Sequence, residues 1–190
     1  QDVSFEKVDG SEISLPLQHP LAMLEVVSKL HPWFAAWLLA IIRANNNMLS
    51  LMIYSDEITP GNAVQSRNLR KTQGIYWNFE ESGDAMVCED GWFVIMAIRT
   101  SVEAKISGGM SQIMRAVLRS FFAENGHDLR NGVLLDIGGQ HVLVFAKLSK
   151  IIQDERAHKY CTQCKGSSGN KICMCCRNVC LLYTSPSPRD

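Results

Sequence analysis

The sequence predicts a mixed α/β (α+β) fold, in which a sheet packs against helices. Short apolar runs bounded by turn residues, such as residues 48–54, are typical of strands, and longer runs with helical spacing, such as residues 110–124, are typical of amphipathic helices. The chain has 190 residues, of which 46% are hydrophobic and 20% are charged. This composition indicates one globular domain with a sizeable core.

The charge balance gives no sign of a general affinity for nucleic acid. Nineteen basic and nineteen acidic residues cancel, so a small stand-alone DNA-binding module is not predicted, and any contact with DNA must be local. No secretion signal opens the chain, and its longest apolar run, residues 33–42, is half of the ~20 residues that span a bilayer. We therefore expect a soluble intracellular protein.

The first 47 residues predict a hairpin followed by helix. Asp9-Gly10 separates two strand-like runs and favours a hairpin over residues 1–18. Residues 19–47 have apolar side chains at helical spacing, and Pro32 should kink or divide that helix. Its aromatic side chains could form a base-stacking surface, but a stripe at this spacing is more typical of core. They are Trp33, Phe34 and Trp37.

Residues 48–62 predict a buried strand that ends in two carboxylates. Six of the seven residues 48–54 are apolar or aromatic, and Pro60-Gly61 prevents continuation. Because side chains alternate between the faces of a strand, we expect only one of Asp56 and Glu57 to belong to a shared site, and we favour Asp56. The alternative is that Asp56 opens a turn into Pro60-Gly61.

The remaining elements extend this strand into a sheet. Residues 74–79 and 92–102 predict two further strands joined by an acidic turn, residues 110–124 a helix, and residues 133–137 and 141–152 a hairpin that releases Asp154. Three antiparallel strands, a helix and a further strand, with acids at the ends of the first and last strands, is the order of a ribonuclease-H-like core. We assign this core to residues 48–160.

Such an arrangement suits phosphoryl transfer by two metal ions. Two divalent cations ~3.5–4 Å apart need converging hard oxygen ligands, which carboxylates on adjacent strands provide. Asp136 is a weaker alternative to Asp154, because a buried unpaired carboxylate is costly. Arg67, Arg70 and Lys71 form a basic cluster that either meets phosphates or is a solvated loop.

Four stretches of this sequence resemble the transposases of eukaryotic cut-and-paste DNA transposons. They are YSDEITPGN with the following RK, SGGMSQ, LVFAKLSKIIQDERAHK and CKGSSGNKICMCCRN. The resemblance covers most of residues 21–179 and lies near the Plavaka, Kyakuja-Dileera-Zisupton and CACTA groups, which have a DDE-type catalytic domain.

The resemblance implies specific roles and partners. Asp56 matches the first catalytic aspartate and Asp154 the second, and both would bind Mg²⁺ or Mn²⁺. The full-length protein would cleave and transfer DNA strands at transposon ends in the nucleus, and it could form a homo-oligomer. The third acid of the family is expected downstream, so this chain alone should be inactive.

A cysteine cluster at residues 161–179 predicts a structural zinc site. Two CxxC pairs can supply four thiolates, and Cys175 or His158 could replace one of them. The alternative is that these are partly buried thiols that behave as small apolar side chains. The four expected ligands are Cys161, Cys164, Cys173 and Cys176.

The last eleven residues call for separate treatment. The stretch CLLYTSPSPRD at 180–190 looks like the translation of an adapter used in preparing sequencing libraries. We therefore expect the residues after about Val179 not to belong to the natural protein. A different class of function also stays open. The chain could be a non-catalytic zinc-binding module that contacts nucleic acid or protein, derived from a decayed or domesticated transposon.

Overall fold

The computed structural model describes residues 1–59, 71–122, 128–154, 157 and 161–162. These residues form a mixed α/β fold, as the sequence predicts. The strands are β1 (Asp2–Glu6), β2 (Glu12–Pro16), β3 (Met48–Ile58), β4 (Thr72–Phe79), β5 (Phe93–Arg99), β6 (Val133–Ile137) and β7 (Gln140–Ile152). The α-helices are α1 (Pro20–Leu30), α2 (Pro32–Ala44), α3 (Thr100–Glu103) and α4 (Met110–Phe122).

Five of these strands form one mixed sheet in the order β5-β4-β3-β7-β6. Strand β3 lies in the centre, antiparallel to β4 on one side and parallel to β7 on the other. The pairs β4-β5 and β6-β7 are antiparallel. Strands β3 to β5 are therefore a meander, and the chain returns through α4 to place β7 beside β3.

One apolar cluster joins the helices to one face of the sheet. Alternate residues of β3 point into it, and Leu49, Leu51 and Ile53 are completely buried. Trp77 of β4 is also completely buried and contacts Phe121 of α4, with ring centroids 5.1 Å apart. Apolar contacts thus hold the first part of the central strand, and its polar residues follow towards the C-terminal end.

The hairpin and the divided helix both appear where the sequence places them. Strands β1 and β2 pair antiparallel, and Gly10 in their turn has φ +80°, a conformation that glycine adopts at little cost. Pro32 divides the helical region into α1 and α2. At the start of α1, the His19 side chain accepts a hydrogen bond from the backbone of Ala22.

One member of the aromatic stripe is not core. Phe34 is buried, but Trp33 is 70% exposed. Because Pro32 restarts the helix, Trp33 lies in the first turn of α2, where its ring contacts only the edge of Phe34 and the His31 ring among the described aromatic pairs. The prediction that Trp33 is a core residue was therefore wrong.

Two strand boundaries also differ from the prediction. Strand β3 continues through Asp56 to Ile58, because β4 supplies partners for these residues as far as Thr72. Asp56 lies within the strand opposite Gly74 and does not open a turn. Strand β5 ends at Arg99, and residues 100–103 form the single turn α3 instead of more strand.

We expect Ile53→Ala to lower the free energy of unfolding by about 2 to 5 kcal/mol, because it leaves a cavity at a completely buried position of the central strand. Val87→Ala removes apolar atoms from a side chain that is 84% exposed and should change that energy by less than about 0.5 kcal/mol. Urea denaturation of both variants measures the difference. Equal effects would contradict the assigned core.

Candidate carboxylate site at the ends of two parallel strands

The parallel pairing of β3 with β7 stops before the end of β3, which continues along β4 to Ile58. Their last paired residues are Tyr54 and Ile152, and the strands run parallel. Asp56 and Asp154 each lie two residues beyond that pair. Asp56 is still within β3, whereas Asp154 follows the end of β7. Neighbouring strands are ~4.8 Å apart, so the backbone segments that carry the two acids start from adjacent strands.

A side-chain hydrogen bond extends this register past the backbone pairing. Gln153 Nε2 donates to Ser55 Oγ over 2.7 Å. Ser55 precedes Asp56, and Gln153 precedes Asp154, so this bond joins the residues that come immediately before the two acids. The strand ends are in matching positions.

Both aspartates line one cavity of about 570 Å³. The cavity lies between the strand ends, α3 and the start of α4. Its other lining residues are Glu57, Lys71, Gln73, Thr100, Glu103, Ala104, Ile106, Gly108, Gly109, Met110 and Ala157. Glu57 lines this cavity as well as Asp56, so the cavity lining does not decide which of the two acids belongs to a shared site.

The Asp56 carboxylate is held by two hydrogen bonds. Its Oδ2 accepts from the Tyr54 hydroxyl over 2.8 Å, and its Oδ1 accepts from the Glu57 backbone N–H over 2.8 Å. The Tyr54 ring stacks on Tyr76, with centroids 5.7 Å apart. The hydrogen bond to Asp56, with smaller effects of burial and of the carboxylate charge, raises the pKa of Tyr54 to about 12.

Gly74 makes room for this aromatic pair. It lies opposite Asp56 on β4, and a Cβ there would come within 2.5 Å of the Tyr76 hydroxyl. The Tyr76 ring therefore covers the backbone beside Asp56. Any larger residue at position 74 would displace that ring from its stack on Tyr54.

The Asp154 carboxylate is fixed by the backbone that follows it. Its Oδ1 accepts from the Ala157 N–H over 2.6 Å, the pattern of a residue that caps the start of a helix. Each oxygen of a carboxylate has two lone pairs. Asp56 and Asp154 thus keep acceptor capacity after the bonds described here.

Two further carboxylates face the same cavity. Glu57 forms an ion pair with Lys71, whose Nζ lies 2.6 Å from Oε1. Burial raises the pKa of Glu103, although a hydrogen bond from the Met110 backbone at the start of α4 opposes that shift. Sequence reasoning missed Glu103, because residues 92–102 read as one strand. The signal that could have identified Glu103 is its position, since it is an acid a few residues before Gly108-Gly109 and an amphipathic helix.

The basic cluster and the alternative acid have separate outcomes. Lys71 lies in the cavity, bound to Glu57, whereas Arg67 and Arg70 lie outside the described residues. Asp136 is on the edge strand β6, paired with His141 at the opposite end of β7 from Asp154. Its carboxylate forms an ion pair with Lys29 at 2.9 Å, which lowers its pKa. Asp136 therefore does not join Asp56.

Little of the cysteine cluster can be placed. Cys161 is half-buried, its Sγ accepts a hydrogen bond from Gln153 Nε2 over 3.0 Å, and burial raises the pKa of its thiol. Three of the expected zinc ligands, both expected substitutes and the whole of residues 180–190 lie outside the described residues. They are Cys164, Cys173, Cys176, Cys175 and His158. Zinc binding stays a prediction from the sequence.

Comparison of the chain with protein-family models, with curated proteins and with solved structures finds no match. In the part of the chain that the structure describes, no three His, Cys, Asp or Glu side chains are grouped closely enough to hold a metal ion. Among the same residues no helix is long and apolar enough to cross a membrane.

The Tyr54 phenol should titrate near pH 12 in the folded chain, measured by ultraviolet absorbance, and Asp56→Ala should bring it back towards the ordinary value of about 10. The folded phenol keeps its proton to higher pH than the unfolded one. Its contribution to stability is thus complete below about pH 10 and is lost as the pH rises towards 12. In Tyr54→Phe, this part of the loss of stability between about pH 10 and pH 12 should be absent. A wild-type Tyr54 that titrates near 10 would contradict the hydrogen bond.

Proposed function

We propose that this chain is part of the catalytic domain of a DDE-type DNA transposase, with Asp56 and Asp154 as two of its metal-binding acids. The observation that carries the proposal is their matching position: each lies two residues beyond the last pair of neighbouring parallel strands, and both line one cavity. The sequence resemblance assigns roles to the same two residues. The strands that carry the two acids pair residues 98 positions apart, as in Tyr54 and Ile152, so a local sequence motif alone does not explain the matching positions.

The order of the sheet supports a ribonuclease-H-like core. The first strand of such a core is central, two antiparallel strands follow on one side, and a strand parallel to the first is added on the other side after a helix. Here β3, β4, β5, α4 and β7 have those positions. Strand β6 is an addition, paired antiparallel with β7 at the edge of the sheet.

The donor chemistry of the two aspartates suits Mg²⁺ or Mn²⁺. These ions prefer oxygen ligands, and the hydrogen bonds given for the described residues use only part of the acceptor capacity of the two carboxylates. Two carboxylates are fewer than a two-metal site needs. We therefore expect a third acid from elsewhere to be necessary for cleavage.

The residues of this chain hold and orient the ligands. Tyr54 fixes the rotation of the Asp56 carboxylate, and the Ala157 backbone fixes that of Asp154. The chemistry that two bound ions supply is activation of an attacking water or 3′-hydroxyl and stabilisation of the leaving oxygen. Lys71 also lines the cavity, paired with Glu57, and would be the cation available there to a DNA phosphate.

The proposed substrate is the DNA of transposon ends, which places the working protein in the nucleus. Since the net charge of the chain is zero, its affinity for DNA must come from local groups such as Lys71 and from parts beyond the described residues. We do not expect binding by a broad basic surface. The affinity for DNA should fall only weakly as the salt concentration rises, because few phosphate contacts are made.

Asp56→Asn and Asp154→Asn should each lower the affinity of the purified chain for Mn²⁺ by more than about 10-fold. Loss of a residue that only supports a metal ligand already costs about 10-fold, and loss of a ligand itself should cost more. Titration followed by the electron paramagnetic resonance signal of free Mn²⁺ measures this affinity. Asp84→Asn is the matched control, because Asp84 is exposed and lies outside the cavity lining. Wild-type affinity in both cavity variants would rule out the proposed site.

A further inference from the structure

Gln153 occupies a position that the backbone alone does not stabilise. The paired register of β3 and β7 stops at Tyr54 and Ile152, one residue before Gln153. Beyond that point, the strands are joined by the Gln153 side chain, whose Nε2 reaches Ser55 Oγ over 2.7 Å. The last link between the two strands is therefore a side-chain bond.

Gln153 uses its amide nitrogen twice. Nε2 also donates to Cys161 Sγ over 3.0 Å, so both of its N–H groups have acceptors on different parts of the chain. Ser55 is only 2% exposed, and Cys161 is half-buried. Hydrogen bonds in such surroundings are stronger than those in water, and they fix geometry.

The amide oxygen of Gln153 indicates that glutamine does not occupy this position to stabilise the fold. Oε1 is buried and has no hydrogen-bond partner among the residues described here. An unpaired buried acceptor destabilises a fold, and an apolar side chain would avoid that cost. A glutamine at this position is better explained by what its nitrogen holds.

We propose that Gln153 is a positioning residue, which keeps Asp56 and Asp154 side by side by fixing the residues that precede them. The inference rests on the proposed function in one respect: it takes metal binding as the purpose of the pair. Ser55 directly precedes Asp56 in β3, and Gln153 directly precedes Asp154 just past the end of β7. Holding the first pair limits the spacing of the second, because each acid is the next residue along the chain.

The test compares Gln153→Ala with Ser55→Ala, which breaks the same bond from the other strand by removing one oxygen atom. Mn²⁺ affinity of the purified chain should fall about 10-fold in each. The double variant should bind Mn²⁺ no more weakly than Gln153→Ala, because Gln153→Ala already loses the bond to Ser55 as well as the bond to Cys161. Gln140→Ala is the matched control, since Gln140 is a glutamine at the other end of β7 and accepts a hydrogen bond from Arg43 over 2.8 Å. It should bind Mn²⁺ as the wild type does.

Hydrogen exchange gives a second readout that does not involve metal. In both bond-breaking variants, backbone amides of residues 55–57 and 152–154 should exchange faster, while those of residues 49–53 keep their wild-type protection. Additive losses of affinity in the double variant, as two independent packing defects give, would overturn the positioning role.

The outcomes separate this inference from the proposed function. If Gln153→Ala binds Mn²⁺ normally while Asp56→Asn has lost it, the positioning role is overturned and the metal site stands. If Asp56→Asn and Asp154→Asn bind normally, the proposed function fails, and hydrogen exchange then decides on Gln153. Faster exchange confined to the strand ends supports the link between the strands, and unchanged exchange rejects it.

Discussion

The parallel pairing of β3 with β7 is the constraint on which the rest of this structure depends. It joins residues 48–54 to residues 145–152, so about half of the described chain lies between the two paired segments. Such long-range pairing costs loop-closure entropy that only later contacts offset. The buried residues of β3 provide those contacts, since Leu49, Leu51 and Ile53 are fully removed from water.

The same pairing explains why acids can follow apolar strands here. A carboxylate within the core would have to lose its hydration, whereas one at the carboxyl end of a strand stays near solvent. Asp56 and Asp154 are both exposed, and each receives a hydrogen bond that orients it. The fold therefore places both acids on the lining of one cavity, where they stay near solvent.

Local signals in the sequence were enough for most elements, and long-range contacts decided the remainder. Asp9-Gly10 predicted the first hairpin, and Pro32 predicted the division between α1 and α2, because each acts on its own backbone. The extension of β3 to Ile58 depends on partners in β4, which lie outside any local window. Trp33 was misplaced because helical spacing does not show that Pro32 restarts the helix.

The candidate site follows the same division. Asp56 and Asp154 were predicted because an acid after an apolar run is visible in one sequence. Glu103 and Gln153 were not, because their importance comes from what they contact: the Met110 backbone for Glu103, and Ser55 and Cys161 for Gln153. Ser55 is 98 positions from Gln153 in the chain, and no spacing rule connects them.

The measurement that tests the central claim most directly is anomalous X-ray diffraction from crystals of this chain soaked in Mn²⁺. The account predicts an anomalous peak within ~2.0 to 2.3 Å of a carboxylate oxygen of both Asp56 and Asp154. A well-ordered β3-β7 pair with no peak between these side chains, or with the two carboxylates turned away from each other, would contradict it.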